Sequence, residues 1–119
     1  MTYDNDNIFA KILRDDAPAK IIYENDYAIS FYNIYPASEI HALVIPRGAY
    51  TDIHDFTKNA SDAEQIGFWR ALHQTAEILG VNTNYSIVSN NGDGPFFKQS
   101  VFHFHVHLIS GKPLKGGKL

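Results

Sequence analysis

Three of the six histidines stand at 103, 105 and 107, within Val101-Phe-His-Phe-His-Val-His-Leu-Ile109. On an extended strand, side chains two apart share a face. The imidazoles of His103, His105 and His107 would then line one side, with Phe102, Phe104, Val106 and Leu108 on the other. A strand that needed only a polar face would more naturally mix Thr, Lys or Glu with His, so the pattern points to imidazole chemistry. Two uses are open. Neighbouring ring nitrogens can converge on a metal, with His41 as an extra ligand, or one neutral imidazole can act as a nucleophile. Spacing alone does not decide between them, although no evident general-base carboxylate stands beside the histidines.

The nucleophilic reading uses more of the neighbourhood. Asn90-Asn-Gly-Asp-Gly94 follows a strand and offers backbone N–H groups that could form an anion-binding nest. Ser100 brings a hydroxyl to the entrance of the histidine segment. The same Asn-Gly-Asp-Gly chemistry also makes an ordinary turn, and Asp93 would repel a phosphate if it faced inward.

Several elements must hold these residues in place. Asp6 or Asn7 can cap a short helix carrying Ile8, Phe9, Ile12 and Leu13, which Asp15, Asp16 and Pro18 end. Ile21–Glu24 and Tyr27–Asn33 read as a hairpin about Asn25-Asp26, residue types that tolerate the positive φ of a two-residue turn. Ile40–Ile45 is a third strand ending at Pro46, with His41, Leu43 and Ile45 on one face and Ala42 and Val44 on the other, apolar enough for both faces to be buried. Ser61 and Glu64 form a capping box ahead of a long helix with Phe68, Leu72, Ala76 and Leu79 on its apolar stripe and Gly80 as its stop. Tyr85–Ser89 and Val101–Ile109 complete the strands. The pattern predicts a single α+β domain over 1–119, an antiparallel sheet with one long helix packed across it.

Composition narrows the classes. At 119 residues the chain is a small globular domain, and a subunit partner is a live expectation because small chains bury a limited share of their surface. Ten Lys and Arg against 13 Asp and Glu, without a basic stripe, argue against a nucleic-acid platform. Lys112, Lys115 and Lys118, interleaved with Gly and Pro, read as a solvated tail rather than as a phosphate clamp. The absence of cysteine removes disulfides, thiolate metal sites and a thiol nucleophile. No apolar run is long enough to span a bilayer, and Met1–Asn7 is too polar for a secretory signal; a cytoplasmic location is expected.

The histidine segment resembles the signature of the histidine triad superfamily, and His41-Ala-Leu-Val-Ile-Pro46 resembles that family's preceding strand. The likeness runs from Ile8-Phe-Ala-Lys-Ile12 through Pro18-Ala-Lys-Ile21 to Gln99-Ser-Val101 and is closest to the Hint branch of nucleoside phosphoramidases. It implies an enzyme without cofactor or metal, in which His105 attacks the α-phosphate of a nucleoside 5′-phosphoramidate or similar nucleotide, purine by expectation. His107 would contact the phosphate, with His103 and His41 completing the catalytic set. Ser100 would bond the leaving group or a phosphate oxygen. Asn90 would bind near the phosphate, Phe9, Ile12, Phe31, Ile34 and Leu43 would wall the base pocket, and Lys98 and Gln99 would join the nucleotide contacts, Lys98 toward the leaving group. The resemblance also implies a homodimer through the long helix and Tyr85–Ser89, with no nucleic-acid or membrane partner. A nucleotide-binding regulatory module with slow turnover is the rival reading.

Three positions depart from the Hint pattern. Asn33 stands where an acidic residue holds the ribose hydroxyls. The loop from Gly92 to Gln99 looks two residues longer and carries Pro95, Phe96, Phe97 and Lys98. The C-terminal tail is short and lacks a Trp.

Overall fold

The computed structural model describes residues 2–119, so Met1 of the polar N-terminal segment lies outside the described residues. Five strands form one antiparallel sheet in the order β1-β2-β3-β5-β4. They are β1 (Ile21–Glu24), β2 (Ala28–Tyr32), β3 (Ser38–Pro46), β4 (Ser86–Val88) and β5 (Val106–Pro113). The helices are α1 (Ile8–Leu13), α2 (Ile53–Asn59) and α3 (Asp62–Leu79). The α+β architecture read from the pattern is the one observed. The short α2 went unread, although Asp52 ahead of Ile53 and Phe56 was a local cue: its carboxylate accepts from Asp55 N–H at 2.7 Å as an N-cap.

Local stereochemistry accounts for the helix ends. Asn7 caps α1 by accepting from Ala10 N–H at 2.9 Å. Ser61 and Glu64 satisfy one another's backbone donors in a complete capping box, and α3 closes on Gly80 at φ 68°, where a side chain would be strained. The β1–β2 hairpin is present, but its turn works differently from the expectation. Neither Asn25 nor Asp26 has positive φ. Three residues, Asn25 to Tyr27, link the strands, and the Asn25 carbonyl oxygen of the side chain accepts from Tyr27 N–H and Ala28 N–H. An Asx turn replaces the tight two-residue loop.

The two faces of the sheet bury different cores. On one, Phe56, Phe68, Leu72 and Phe104 pack with Val44 and Val106 under α2 and α3, the Phe56 and Phe104 rings stacked at 4.8 Å. Each such buried aromatic contributes about 1.5–3 kcal/mol relative to exposure. On the other, α1 lays Phe9 and Ile12 against Ile29, Phe31, Leu43 and Ile45. The alternation read along β3 is therefore the one observed, with both faces covered. Phe68 belongs to this interior, while Trp69 remains partly exposed.

The histidine segment needs a correction. Val101–His105 is not a strand: β5 begins at Val106, paired with Val44 of β3. Just beyond, β3 ends at Pro46, which has no N–H for a ladder, and the Pro46 carbonyl accepts from a ring nitrogen of His103 instead. Phe104 N–H turns to the carbonyl of Tyr50 at 2.7 Å. The division of faces survives: Phe104 and Val106 enter the α3-side core, while His103 and His105 meet Phe9 of α1. The imidazoles are as deeply buried as Phe104 opposite them, whereas Phe102, expected on the same face as Phe104, is exposed.

Candidate active site

A cavity of about 570 Å³ opens between α1 and the sheet, within the size range of small-molecule sites. Phe9, Ile12, Phe31 and Leu43 wall it, Ile34 and Tyr35 stand at the β2–β3 connection, and Ser100, His105 and His107 supply polar atoms. Ile34 is 81% exposed, so it covers the cavity as a rim and not as core. A shallower depression beside α1, lined by Asp15, Asp16 and Pro18 among others, contains none of the histidines.

Hydrogen-bond partners assign the imidazole tautomers, since a neutral ring has one N–H and one lone pair. Burial holds all four rings below the ordinary histidine range: His41 and His103 to about 4, His107 to about 3, and His105 downward as well. They are neutral near pH 7. His105 Nδ1 donates to the carbonyl of His103 at 2.8 Å, so its lone pair is on Nε2 and the ring lines the cavity. Ala37 N–H donates to His41 Nδ1 at 2.8 Å, which places the His41 proton on Nε2. That N–H donates to His107 Nδ1 at 2.8 Å. His107 must then carry its own proton on Nε2, and this buried nitrogen has no partner among the described residues. A buried donor without an acceptor is costly, and here it lies in a ring lining the cavity, 5.1 Å between centroids from His105.

Sheet register makes the relay possible. His41 pairs with Ile109 and Leu43 with His107, so His41 and His107 are diagonal neighbours on one face, within reach of long side chains. His103 is held from both ends, donating from Nε2 to the Pro46 carbonyl at 2.8 Å and accepting at Nδ1 from the Tyr3 hydroxyl. Neither His41 nor His103 lines the cavity; each instead bonds a ring that does, His41 to His107 through its side chain and His103 to His105 through its carbonyl.

Other expected site residues fall elsewhere. Asn90 and Lys98 do not line the cavity, and Lys98 is solvent-exposed. One N–H of the expected nest is used within its own loop, Gly92 N–H donating to the Gln99 side-chain oxygen, while the Asn91 side-chain oxygen accepts from His54 N–H. Gln99 is buried and does not line the cavity, its amide N–H groups bonded to the carbonyls of Thr51 and Val101, so it anchors the loop. Asn33 does line the cavity, but its side-chain oxygen accepts from Tyr35 N–H at 2.9 Å, which turns Nδ2 toward the Lys118 carbonyl at 3.4 Å and the His41 Nε2–H at 3.2 Å.

The tail lysines also need correction. Lys118 lines the cavity. Its N–H donates to the Tyr35 carbonyl at 3.0 Å, and its ammonium lies 4.4 Å from the Tyr35 ring centre. Nothing local singles out Tyr3, and Lys118 reads as part of a solvated tail, because neither lies in a periodic segment; both reach the site only by the chain folding back.

A cavity of this size walled by aliphatic and aromatic side chains, with a lone-pair imidazole beside an N–H imidazole, marks a candidate small-molecule site in a small α+β protein. The chain belongs to the HIT family: the HIT domain model matches residues 14–114. An uncharacterized 13.2 kDa HIT-like protein of Azospirillum brasilense is 41% identical over 114 residues, 95% of this chain and 92% of that protein. Among solved structures, a HIT family hydrolase from Clostridium thermocellum superposes with a TM-score of 0.79 at 30% identity, covering 98% of this chain and 97% of that one. A histidine triad nucleotide-binding protein from Candida albicans does so with a TM-score of 0.76 at 27% identity, over 95% and 79%.

Proposed function

We propose that this protein is a nucleotide-binding hydrolase that cleaves nucleoside 5′-monophosphate derivatives, phosphoramidates among them, through a covalent nucleotidyl-histidine at His105. The carrying observation is the pair of opposed tautomers in one cavity. His105 Nε2 offers a lone pair because its Nδ1–H is held by the His103 carbonyl, and His107 Nε2–H is an unpartnered donor. The names of the Clostridium and Candida structures support the same class.

In the first step the His105 Nε2 lone pair forms a bond to the α-phosphorus while the bond to the leaving amine breaks, and the amine departs with that electron pair and takes up a proton. In the second, water adds to the phosphorus, the phosphorus–Nε2 bond breaks, the lone pair returns to His105, and the water proton is released with the monophosphate. Splitting one displacement into two is covalent catalysis. The charge developing on the phosphoryl oxygens meets the His107 N–H, already oriented by His41, and the Ser100 hydroxyl at the cavity edge. The same tautomers weigh against a metal reading, because the His107 nitrogen in the cavity carries a proton and the His41 nitrogen is committed to His107.

A cytoplasmic location and a homodimer belong to this proposal. The dimer is supported by Ile66 and Trp69, three apart and exposed on α3, and by Ile87, exposed on the edge strand β4, exposed apolar side chains of the kind a subunit contact covers.

The test is rapid quenching of wild type and His105→Ala with radiolabelled adenosine 5′-phosphoramidate. Wild type is expected to accumulate acid-labile label on His105 within one turnover. The variant should lose hydrolysis while binding AMP within about tenfold of wild type, roughly 1.4 kcal/mol. Variant single-turnover rates above a few per cent of wild type overturn covalent catalysis. Label that forms in wild type but decays too slowly for multiple turnover favours the regulatory reading.

A further inference from the structure

The cavity has one charged side chain, and it is the residue the tail delivers. Among its lining residues there is no Asp or Glu; Lys118 is the single charged group. Among the described residues no carboxylate forms an ion pair with it. The seat is built. Leu114 N–H donates to the Ala37 carbonyl and Lys118 N–H to the Tyr35 carbonyl, at 2.9 and 3.0 Å. Between these bonds Gly117 presses against Pro36 and Ala37 so closely that a Cβ on it would meet their backbone atoms at 2.2–2.4 Å. The lysine is thus held at the β2–β3 connection.

That placement sets what Lys118 can recognise. His107 Nδ1 accepts from His41 and His41 in turn faces Asn33, so Asn33, with Lys118 next to it, stands beyond His41 on the Nδ1 side of the His107 ring. A nucleotide with its α-phosphate at His105 and His107 and its base among Phe9, Ile12, Phe31 and Leu43 leaves its sugar for Asn33 and Lys118. There, Asn33 has only its amide N–H groups to offer, since its oxygen is tied to Tyr35 and its Nδ2 faces the Lys118 carbonyl at a long 3.4 Å, and Lys118 adds an ammonium. Both side chains donate and neither accepts. Free ribose hydroxyls need acceptors as well as donors, whereas a phosphate ester supplies only acceptors and negative charge.

We propose that Lys118, with Asn33, recognises a phosphate on the ribose, so that the substrates are nucleoside 5′-phosphate derivatives bearing a second phosphate at the 2′ or 3′ oxygen. This rests on the nucleotide reading above and specifies its substrate class.

Calorimetric titration of the intact chain with AMP, adenosine 2′,5′-bisphosphate and adenosine 3′,5′-bisphosphate tests it, in wild type and in Lys118→Gln. One bisphosphate is expected to bind wild type about tenfold tighter than AMP, about 1.4 kcal/mol, and the arm that wins identifies the oxygen. The preference should shrink with added salt, and Lys118→Gln should bring the ratio close to one. Bisphosphates that bind no tighter than AMP overturn the proposal while leaving the nucleotide reading intact. A ratio unchanged in Lys118→Gln also overturns it, since the lysine would then serve the 5′-phosphate or the tail. Failure of all three ligands to bind wild type overturns both.

Discussion

In the active site, Asn33 Nδ2 and His41 Nε2–H are two donors facing one another at 3.2 Å, and replacing the amide with a carboxylate reverses that mismatch. In Asn33→Asp, one oxygen keeps the Tyr35 N–H and the other takes the His41 N–H. Unit charges about 4 Å apart attract by about 4 kcal/mol at an effective dielectric of about 20, close to three pKa units. That is enough to return His41 from about 4 to near its unfolded value of about 6.5. The sign follows from proton counting. Below about pH 6.5 unfolded His41 binds a proton that the folded wild type refuses until about pH 4. Stability is therefore full above that window and is lost as pH falls through it. About pH 5 lies some 1.5 units below the unfolded value, so His41 costs wild type about 2 kcal/mol there. His103 and His107, also depressed by burial, impose the same loss on both proteins and cancel in the comparison. Urea unfolding near pH 8 and pH 5 measures it. Asn33→Asp should lose about 2 kcal/mol less than wild type over that drop, with an unchanged m-value. Losses equal within about 0.5 kcal/mol would show that His41 does not set the acid limb and would refute the assigned relay.

EDTA should leave hydrolysis of adenosine 5′-phosphoramidate unchanged, because the unpartnered His107 nitrogen carries a proton; activity lost in chelator and restored by zinc or manganese would transfer the chemistry to a metal. Light scattering at micromolar concentration should show twice the chain mass, and Trp69→Glu should shift it toward the monomer; a monomeric wild type would leave Ile66, Trp69 and Ile87 as apolar surface without an occupant.

Much of the architecture was legible because it is written in neighbouring residues. The capping box at Ser61 and Glu64, the stop at Gly80 and the alternation of Leu43 and Ile45 against Ala42 and Val44 all depend on stereochemistry a few residues wide. The three histidines at period two announced imidazole chemistry, and the apolar residues expected around the base, Phe9, Ile12, Phe31 and Leu43, do wall the cavity. The roles within the site were a different matter. Which nitrogen of His105 is free depends on the carbonyl two residues back, but which nitrogen of His107 holds a proton depends on His41, 66 residues away, and through it on an amide at Ala37. Tyr3 meets His103 across 100 positions, and Lys118 reaches the cavity because Gly117 lets the tail lie against Ala37. Gln99, plausible by position, is buried by bonds that include one to Thr51, 48 residues away, and Asn90 does not line the cavity. Residue types and spacing determine which face a side chain takes; proton positions and the cavity's charge were decided by sheet register and chain return, because a hydrogen bond exists only once both partners have been brought together.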